Sequence, residues 1–354
     1  MATQRIAVIA GDGIGPEVIA AGRRTLDALQ ALDATLDLEY VEFPWGSAYY
    51  LEHGHMMPPD GAQRLAEFDA IYFGAVGWPS IPDHVSLWGL LIPMRRSFDQ
   101  YINLRPVRLL KGVESPLAHP GAMDFVMVRE NTEGEYSDIG GRIFSGSDRE
   151  IAIQESVFTR VGVERAVRYA YELARSRRKR LTGATKSNGI RVTMPFFDEV
   201  FRAVGEDYPD VTAALMHADA LAAQLVLRPR EFDVIVGSNL LGDILSEVMA
   251  AVSGSIGIAP SANLNPERRW PSLFEPIHGS APDIAGQGIA NPSGAIWAAS
   301  LMLESLGHAQ AGQRLLRALE DTLASGVRTR DLGGDADTER MTDAVIATLR
   351  RLEA

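Results

Sequence analysis

One stretch of the chain, residues 236–247, reads VGSNLLGDILSE and indicates how the polypeptide is built. An apolar run at 232–237 is typical of a buried strand, and a polar corner then leads into a predicted helix. If that segment is helical, Asp243 and Glu247 lie four residues apart on one face. The two like charges repel mildly, and a divalent cation with hard oxygen ligands would compensate them. The residues alone leave two interpretations open, a metal site at the end of a strand or two solvated surface acids.

The same strand-then-helix rhythm extends outward in both directions from this stretch. It predicts an α/β fold with a largely parallel sheet. Pro93 should kink or restart the helix in which it lies. Strands are predicted at 6–10, 70–75, 125–129, 181–185, 211–216 and 232–237, and helices at 16–32, 86–100, 158–175, 294–306, 309–324 and 337–352.

Residues 140–158 interrupt the rhythm with two short apolar segments around the polar turn SGSD. This pattern predicts a β-hairpin that has few apolar neighbours of its own. Such an arm either pairs with another chain or packs on its own domain, and the pattern alone does not distinguish the two.

Composition narrows the class of protein. A chain of 354 residues is long enough for about two domains. The absence of cysteine excludes disulfides, thiolate metal sites and cysteine nucleophiles. A net charge of −12 disfavours nucleic acid as a partner, and no segment approaches the ~20 apolar residues of a membrane span. We therefore expect a cytoplasmic protein that binds neither nucleic acid nor membrane.

Two glycine-containing segments could approach a nucleotide. Residues 11–17, GDGIGPE, look dinucleotide-like but depart from G-x-G-x-x-G, so alone they predict only a strand-to-helix turn that needs glycines. Residues 275–286 form a long Gly/Pro/Ala loop whose His278 and Asp283 are the side chains most able to bind a ligand. Asp283 could accept hydrogen bonds from a ribose diol, although an ordinary surface loop is the alternative.

Several basic residues are candidates for binding an acidic ligand. Arginines at 95, 105 and 129 suit bidentate capture of a carboxylate, although most arginines only solvate a surface. Lys186 follows a predicted strand and is either a desolvated base or an exposed loop lysine.

Taken in order, these motifs resemble the β-decarboxylating 2-hydroxyacid dehydrogenases, the family of isocitrate and 3-isopropylmalate dehydrogenases. The similarity runs from Gly11 to the last helices and includes NLRP at 103–106 and RENTEG at 129–134. Residues 83–89, 95–101 and 261–268 look most like the D-malate/tartrate dehydrogenase branch. The resemblance implies a two-lobed subunit with a continuous sheet and a hairpin arm for dimerisation. Its large lobe would comprise 1–100 and 256–354 and bind the cofactor, and its small lobe would comprise 101–255.

The resemblance also implies a role for each candidate residue. Arg95, Arg105 and Arg129 would hold the carboxylate that leaves. Lys186 would accept the hydroxyl proton and Tyr136 would protonate the enol. Mg²⁺ or Mn²⁺ would be bound by Asp219, Asp243 and Glu247, and a homodimer would share its sites through Lys186 and Asp219. The adenosine half of the cofactor would lie against His278, Gly279, Ser280, Ala281, Asp283 and Asn291.

Asp283 and Ile284 replace a lysine and a tyrosine of NADP-using relatives, so NAD is the expected cofactor. The expected activity is oxidative decarboxylation of D-malate to pyruvate and CO₂, oxidation of tartrate, or both. The alternatives are a 3-isopropylmalate dehydrogenase and a weakly active regulatory paralogue. Three departures from the family pattern bear on activity: Glu247 stands for a usual aspartate, Leu241 for a phenylalanine and Pro93 for a lysine.

Overall fold

The computed structural model describes residues 3–353. Its backbone contacts divide the chain into two compact units. Unit 1 comprises residues 1–100, 105–119 and 250–354, and unit 2 comprises 101–104 and 120–249. Residues 105–119 and 250–255, which the sequence analysis assigned to the small lobe, therefore group with unit 1. The cofactor and substrate roles of the two lobes stay predictions.

Strands and helices alternate along most of the described chain. The strands are β1 Gln4–Gly11, β2 Leu38–Glu42, β3 Ala70–Ala75, β4 Ile102–Arg108, β5 Asp124–Glu130, β6 Gly140–Ile143, β7 Ile151–Gln154, β8 Arg180–Thr185, β9 Thr212–His217, β10 Val234–Gly237, β11 Pro260–Leu264 and β12 Ser272–Pro276. The helices are α1 Gly15–Leu32, α2 Ser47–His53, α3 Gly61–Leu65, α4 Asp83–Ser86, α5 Ile92–Ser97, α6 Arg160–Ser176, α7 Thr193–Gly205, α8 Ala218–Leu227, α9 Asn239–Val252, α10 Ser293–Ser305, α11 Ala309–Ala324 and α12 Thr338–Glu353.

Ten of the strands between residues 3 and 353 belong to one sheet, as the α/β prediction required. The order is β2-β1-β3-β12-β11 in unit 1 and β5-β10-β8-β9 in unit 2, and β4, with residues in both units, lies between β11 and β5. Pairing is parallel from β2 through β1 and β3 to β12, and from β5 through β10 and β8 to β9. The β11–β12 pair is antiparallel and lies within the same sheet.

The helix predicted at 86–100 is interrupted where proline forbids a regular turn. A π-helical turn, Leu87–Leu91, joins α4 to α5, and Pro93 lies in the first turn of α5. Proline has no N–H to donate, so a wider turn before it is a local solution to the missing bond. The prediction of a kink or restart at Pro93 is confirmed.

The hairpin is present as β6 and β7, which pair with each other in a separate two-stranded sheet. All residues of both strands are exposed. Its large apolar side chains include Ile143, Ile151 and Ile153, each about half exposed. A hairpin packed face-down on its own domain would bury one side of each strand, so that alternative is wrong. Whether a second chain covers it is taken up below.

Burial follows the apolar pattern of the strands. In unit 1 the side chains of Ile9, Phe73, Leu90 and Met94 belong to one core cluster. In unit 2, β5 and β10 are buried along nearly their whole length. Because both strands run in parallel, Arg129, near the carboxyl end of β5, and the start of α9, after β10, lie at the same edge.

Candidate active site

A charged cluster lies where β5 ends and α9 begins. The Arg129 guanidinium pairs with Asp243, with 2.5 Å between Nη1 and Oδ1, and donates from Nε and Nη2 to Asn239 Oδ1. Tyr136 Oη donates to Asp243 Oδ2 over 2.9 Å. The Arg129 side chain is 3% exposed and that of Asp243 31% exposed, so the cluster is anchored in the protein and open on the acid's side. The sequence analysis singled out three of these residues and missed Asn239.

Three glutamates of the 129–136 segment fix the backbone around this cluster. Glu130 accepts from the backbone N–H groups of Thr132 and Glu133, and its burial raises its pKa. Glu133 accepts from the N–H and the hydroxyl of Thr159, the N-cap of α6. Glu135 accepts from Ser238 Oγ and from Leu240 N at the start of α9. The loop that carries Tyr136 is thereby tied to the helix that carries Asp243.

Close packing also fixes α9 against β5. A Cβ added at Gly242 would lie 2.7 Å from Arg129 Cβ, so glycine lets the helix approach the arginine stem. The prediction of a helix after the polar corner is confirmed, since α9 covers Asn239–Val252. Glu247 is exposed one turn beyond Asp243.

Lys186 and Asp219 form a second charged pair in unit 2. Lys186 follows β8 and Asp219 opens α8 directly after β9, and the parallel pairing of these strands brings their carboxyl ends together. Lys186 Nζ lies 3.0 Å from Asp219 Oδ1, and this hydrogen bond holds the pKa of Asp219 below its usual value. The Lys186 side chain is 34% exposed and that of Asp219 68%, so both are accessible to a ligand or to another chain.

The expected metal ligands offer hard oxygen donors, but one chain does not assemble all of them. Among residues 3–353 there is no group of three or more histidine or acidic side chains that could hold a metal ion. Asp219 is engaged by Lys186, whereas Asp243 has Arg129 on one oxygen and Tyr136 on the other. A carboxylate has about four lone-pair sites, so an acid that accepts hydrogen bonds in this way can also bind a cation. The donor chemistry fits Mg²⁺ or Mn²⁺ if a further ligand comes from outside this chain.

The two other candidate arginines lie in unit 1. Arg95, on α5, is buried and has its Nη2 3.7 Å from Glu275 Oε1, on β12. Glu275 also accepts a 2.7 Å hydrogen bond from Asn263 Nδ2, so the acid that holds Arg95 is itself fixed. Arg105 is buried on β4. The buried guanidinium of Arg95, held in this way, is preorganised for a carboxylate, and Glu275 and Asn263 carry no signal of that role in the sequence.

The loop predicted to bind the cofactor connects β12 to α10. Burial lowers the pKa of His278, whose Nδ1 lies 2.9 Å from Gly279 O; its buried Nε2 has no hydrogen-bond partner within the described part of the chain. Space is open around Gly279, where an added Cβ would meet nothing within 4 Å, and Asp283 is exposed. These features fit a nucleotide that donates hydrogen bonds. The buried His278 Nε2 needs a partner, the backbone at Gly279 can be approached closely, and the Asp283 carboxylate is accessible.

Asn291, the last residue expected at the cofactor, is buried and engaged by the protein. Its Nδ2 donates to Asp331 Oδ2 over 2.9 Å and its Oδ1 accepts from Ser293 N. The amide nitrogen has a second hydrogen, so one donor is left for a ligand. Asp331 lies 40 residues away in sequence, and no local pattern pointed to it.

The GDGIGPE turn after β1 makes hydrogen bonds with the backbone of other segments. Ile14 N donates to Ser280 O over 2.8 Å, and a Cβ at Gly13 would lie 1.9 Å from that same oxygen. Asp12 accepts from Ser47 N, Ser47 Oγ and Gly77 N. The sequence analysis predicted a strand-to-helix turn, which is confirmed, but it missed Asp12 as the residue that joins three segments. The N-terminus of α1 faces the loop at Ser280.

The fold and these side chains define a decarboxylating hydroxyacid dehydrogenase, and comparison with known proteins agrees. The family model for isocitrate/isopropylmalate dehydrogenase matches residues 5–345. The chain is 55% identical over 361 residues to the D-malate dehydrogenase [decarboxylating] of Escherichia coli (strain K12), covering 99% of this chain and 100% of that one. It is 53% identical over 348 residues to the probable tartrate dehydrogenase/decarboxylase of Bacillus subtilis (strain 168), covering 98% of each.

A solved structure gives the same result. The isocitrate dehydrogenase from Methylococcus capsulatus superposes with a TM-score of 0.90 at 32% sequence identity, covering 98% of this chain and 100% of that one. The chain therefore belongs to the isocitrate/isopropylmalate dehydrogenase family. Members of this family generally use NAD and a divalent metal. No helix within residues 3–353 is long and apolar enough to cross a membrane.

Proposed function

We propose that this protein is an NAD- and divalent-metal-dependent enzyme that decarboxylates D-malate oxidatively to pyruvate and CO₂, oxidises tartrate, or does both. The Arg129–Asp243–Tyr136 cluster is the observation that carries the proposal, because it brings a carboxylate-binding cation, a hard oxygen ligand and a hydroxyl acid together. The substrates named for the relatives above support it, since each aligns over nearly the full length of both chains.

Each residue has a distinct task in this reaction. Lys186 accepts the proton of the C2 hydroxyl. NAD, when bound, would supply the acceptor for the hydride from C2, and the oxidised substrate is a 2-keto acid with a carboxylate at the β position. Arg95, Arg105 and Arg129 orient that carboxylate so that its bond to C3 can break. The electron pair left by CO₂ forms an enolate, and Tyr136 protonates it at C3. The Tyr136 hydroxyl lies 2.9 Å from Asp243 Oδ2, so the proposed acid and a proposed metal ligand are neighbours.

Asp243 and Glu247, with Asp219, would hold Mg²⁺ or Mn²⁺. When bound, the cation supplies Lewis-acid stabilisation of the negative charge that develops on the C2 oxygen. Glu247 is one methylene longer than aspartate, a difference of about 1.5 Å in reach. Mg²⁺ tolerates little misplacement, so this side chain favours contact through water or a preference for Mn²⁺. His278, Gly279, Ser280, Ala281, Asp283 and Asn291 would hold the adenosine half of NAD.

The active protein is proposed to be a homodimer with shared sites and a cytoplasmic location. The hairpin exposes Ile139, Ile143, Phe144, Ile151 and Ile153, each between 45% and 56%. Ile143, Ile151 and Ile153 share one face of the hairpin, and a pair of strands with such a face exposed needs a partner to cover it. A second copy would also supply Lys186 and Asp219 to its neighbour, which agrees with the lack of a complete metal site within one described chain. Light scattering on the active enzyme tests this, and an active monomer would contradict it.

One assay tests the reaction and its substrate. NADH formation is followed with D-malate, the tartrates, 3-isopropylmalate and isocitrate, each with and without Mn²⁺. We expect turnover of D-malate or a tartrate that depends on Mn²⁺. Preferential turnover of 3-isopropylmalate would replace the proposal by its rival, and no turnover of any of the four would favour a regulatory paralogue.

A further inference from the structure

Glu17 links the first helix to the proposed cofactor loop. It lies in the first turn of α1, and its Oε1 accepts a 2.5 Å hydrogen bond from Gly286 N, 269 positions away in sequence. Its Oε2 is buried and has no hydrogen-bond partner within residues 3–353. The GDGIGPE motif thus contacts the loop twice, through Ile14 N on Ser280 O and through Glu17 on Gly286.

The part of the loop that Glu17 contacts has little packing to hold it. Gly286 and Gly288 have φ values of +73° and +67°, and an added Cβ at either would meet nothing within 4 Å. Glycines with positive φ and no neighbours have many conformations open to them. The segment is held at its far end by Thr338 N on Gly288 O and by Thr338 Oγ1 on Ala290 O. Between Ser280 and these two bonds, the Glu17 side chain fixes the loop backbone at Gly286.

The loop's internal bonds connect this anchor to Asp283. Ile284 N donates to Ala281 O, Gln287 N to Ile284 O, and Gln287 Nε2 to Asp283 O over 2.8 Å. Each bond closes a turn within 281–287, so the position of Gly286 and the position of Asp283 are not independent. An anchor on Gly286 therefore restricts where the exposed Asp283 carboxylate lies.

We propose that Glu17 is a positioning residue for NAD: its carboxylate fixes Gly286 and thereby holds the 281–288 turn in the conformation that presents Asp283 to the ribose. This inference rests on the proposed cofactor role of the loop. Without the anchor the turn samples several conformations, and the apparent dissociation constant for NAD rises in inverse proportion to the fraction that can bind. The chemical step is unaffected once NAD is bound, because Glu17 acts only through the loop.

The test compares Glu17→Ala with Glu17→Gln in the full-length enzyme. The glutamine keeps an oxygen that can accept from Gly286 N, whereas alanine removes the acceptor. We expect Glu17→Ala to raise both the Kd for NAD, measured by calorimetry, and the KM for NAD roughly tenfold, the effect of a turn that is competent about one-tenth of the time. We expect kcat to stay within about twofold and Glu17→Gln to recover most of the affinity. Asp27→Ala, an exposed acid on the same helix, is the matched control and should leave all three unchanged.

Amide hydrogen exchange in the absence of NAD measures directly whether Glu17 restrains the loop. Peptides covering 281–290 should exchange faster in Glu17→Ala than in the wild type, while peptides from unit 2 should not change. Unchanged exchange in the loop, or faster exchange with wild-type affinity for NAD, would overturn the proposal. A loss of affinity that glutamine does not recover, together with faster exchange throughout unit 1, would assign Glu17 a purely structural role. If Asp283→Ala bound NAD like the wild type, the cofactor role of the loop itself would be wrong.

Discussion

The Arg129–Asp243–Tyr136 cluster in unit 2 and the 278–291 loop in unit 1 are held in different ways. In the cluster, side chains pair with side chains, and both oxygens of Asp243 contact functional groups. In the loop, the backbone makes most of the contacts, and two side chains that could meet a ligand, His278 and Asp283, are left with a buried unpartnered nitrogen and an exposed carboxylate. The first arrangement fixes its side chains through their contacts with one another, and the second leaves hydrogen-bonding capacity for a ligand.

The difference has an energetic consequence. Charge-assisted pairs with a buried partner are strong, and removing one member leaves the other uncompensated. Backbone-held loops lose less when one side chain changes, because the remaining bonds still restrict the chain. We therefore expect substitutions in the cluster to act mainly on kcat by large factors, and substitutions in the loop to act on cofactor affinity and selectivity by smaller ones.

The largest effect should come from Asp243→Asn. It removes a proposed hard carboxylate ligand and takes the Asp243 charge away from the buried Arg129. We expect Mn²⁺-dependent turnover to fall at least about 100-fold, since the cation's contribution is several kcal/mol. The check is kcat at saturating Mn²⁺ together with Mn²⁺ binding by calorimetry.

Glu247→Asp is the matched control for that change. It keeps the charge, restores the family's side-chain length and should preserve or improve turnover. Wild-type activity of Asp243→Asn at saturating Mn²⁺ would remove the metal assignment and reduce the cluster to a structural ion pair.

Tyr136→Phe should have the next largest effect and separate the two chemical steps. Phenylalanine keeps the ring that Arg129 approaches at 5.4 Å but has no proton to donate. Loss of a general acid typically costs about 10²–10⁴ in rate. Because hydride transfer and loss of CO₂ precede protonation of the enolate, pyruvate formation should fall more than NADH formation, and both are measured in the same reaction. Tyr171→Phe, which removes only a long hydrogen bond to Phe201 O, should leave both rates unchanged.

Asp283→Asn probes the loop and should have a moderate effect on cofactor choice. Its carboxylate would repel the 2′-phosphate of NADP and accept from the ribose diol of NAD. Without the charge, we expect kcat/KM for NADP to rise roughly tenfold, equivalent to about 1.4 kcal/mol, and that for NAD to fall. Asp148→Asn, an exposed acid in the hairpin turn, is the charge-matched control. An unchanged ratio of the two cofactors would place the selectivity elsewhere.

The smallest effect concerns the pH dependence of stability through His278. Burial lowers the pKa of this imidazole from 6.5, so the folded state binds its proton less readily than the unfolded state does. Its contribution to stability is complete above pH 6.5 and is lost as the pH falls from 6.5 through the lowered pKa of the folded state. Between pH 7.5 and 5 the free energy of unfolding should therefore fall more in the wild type than in His278→Asn, by at most about 1.4 kcal/mol for each pH unit that separates the folded-state pKa from the unfolded one. Parallel curves would exclude a buried neutral His278.

Much of the fold follows from local patterns. The continuous apolar run of β3 and the amphipathic pattern of α11 fall at the predicted residues, since buried strands and amphipathic helices have distinct patterns. The strands that the sequence analysis missed, β2, β4, β11 and β12, include the antiparallel β11–β12 pair, whose segments are short and contain proline and asparagine. Their strand character depends on pairing with neighbours that are distant in sequence.

The candidate site also has some features that follow from local sequence and others that depend on long-range contacts. The sequence by itself determined the family and the helix that carries Asp243 and Glu247, and it nominated the candidate site residues, because motif order and spacing are local properties. Only the tertiary structure decided that Asp243 contacts Arg129 and Tyr136 and that Lys186 pairs with Asp219. It also decided that Glu17 and Asp12 accept hydrogen bonds from the backbone of distant loops. Those contacts join residues between 33 and 269 positions apart. Parallel strands bring such residues together at one edge, and no local pattern records which of them will meet.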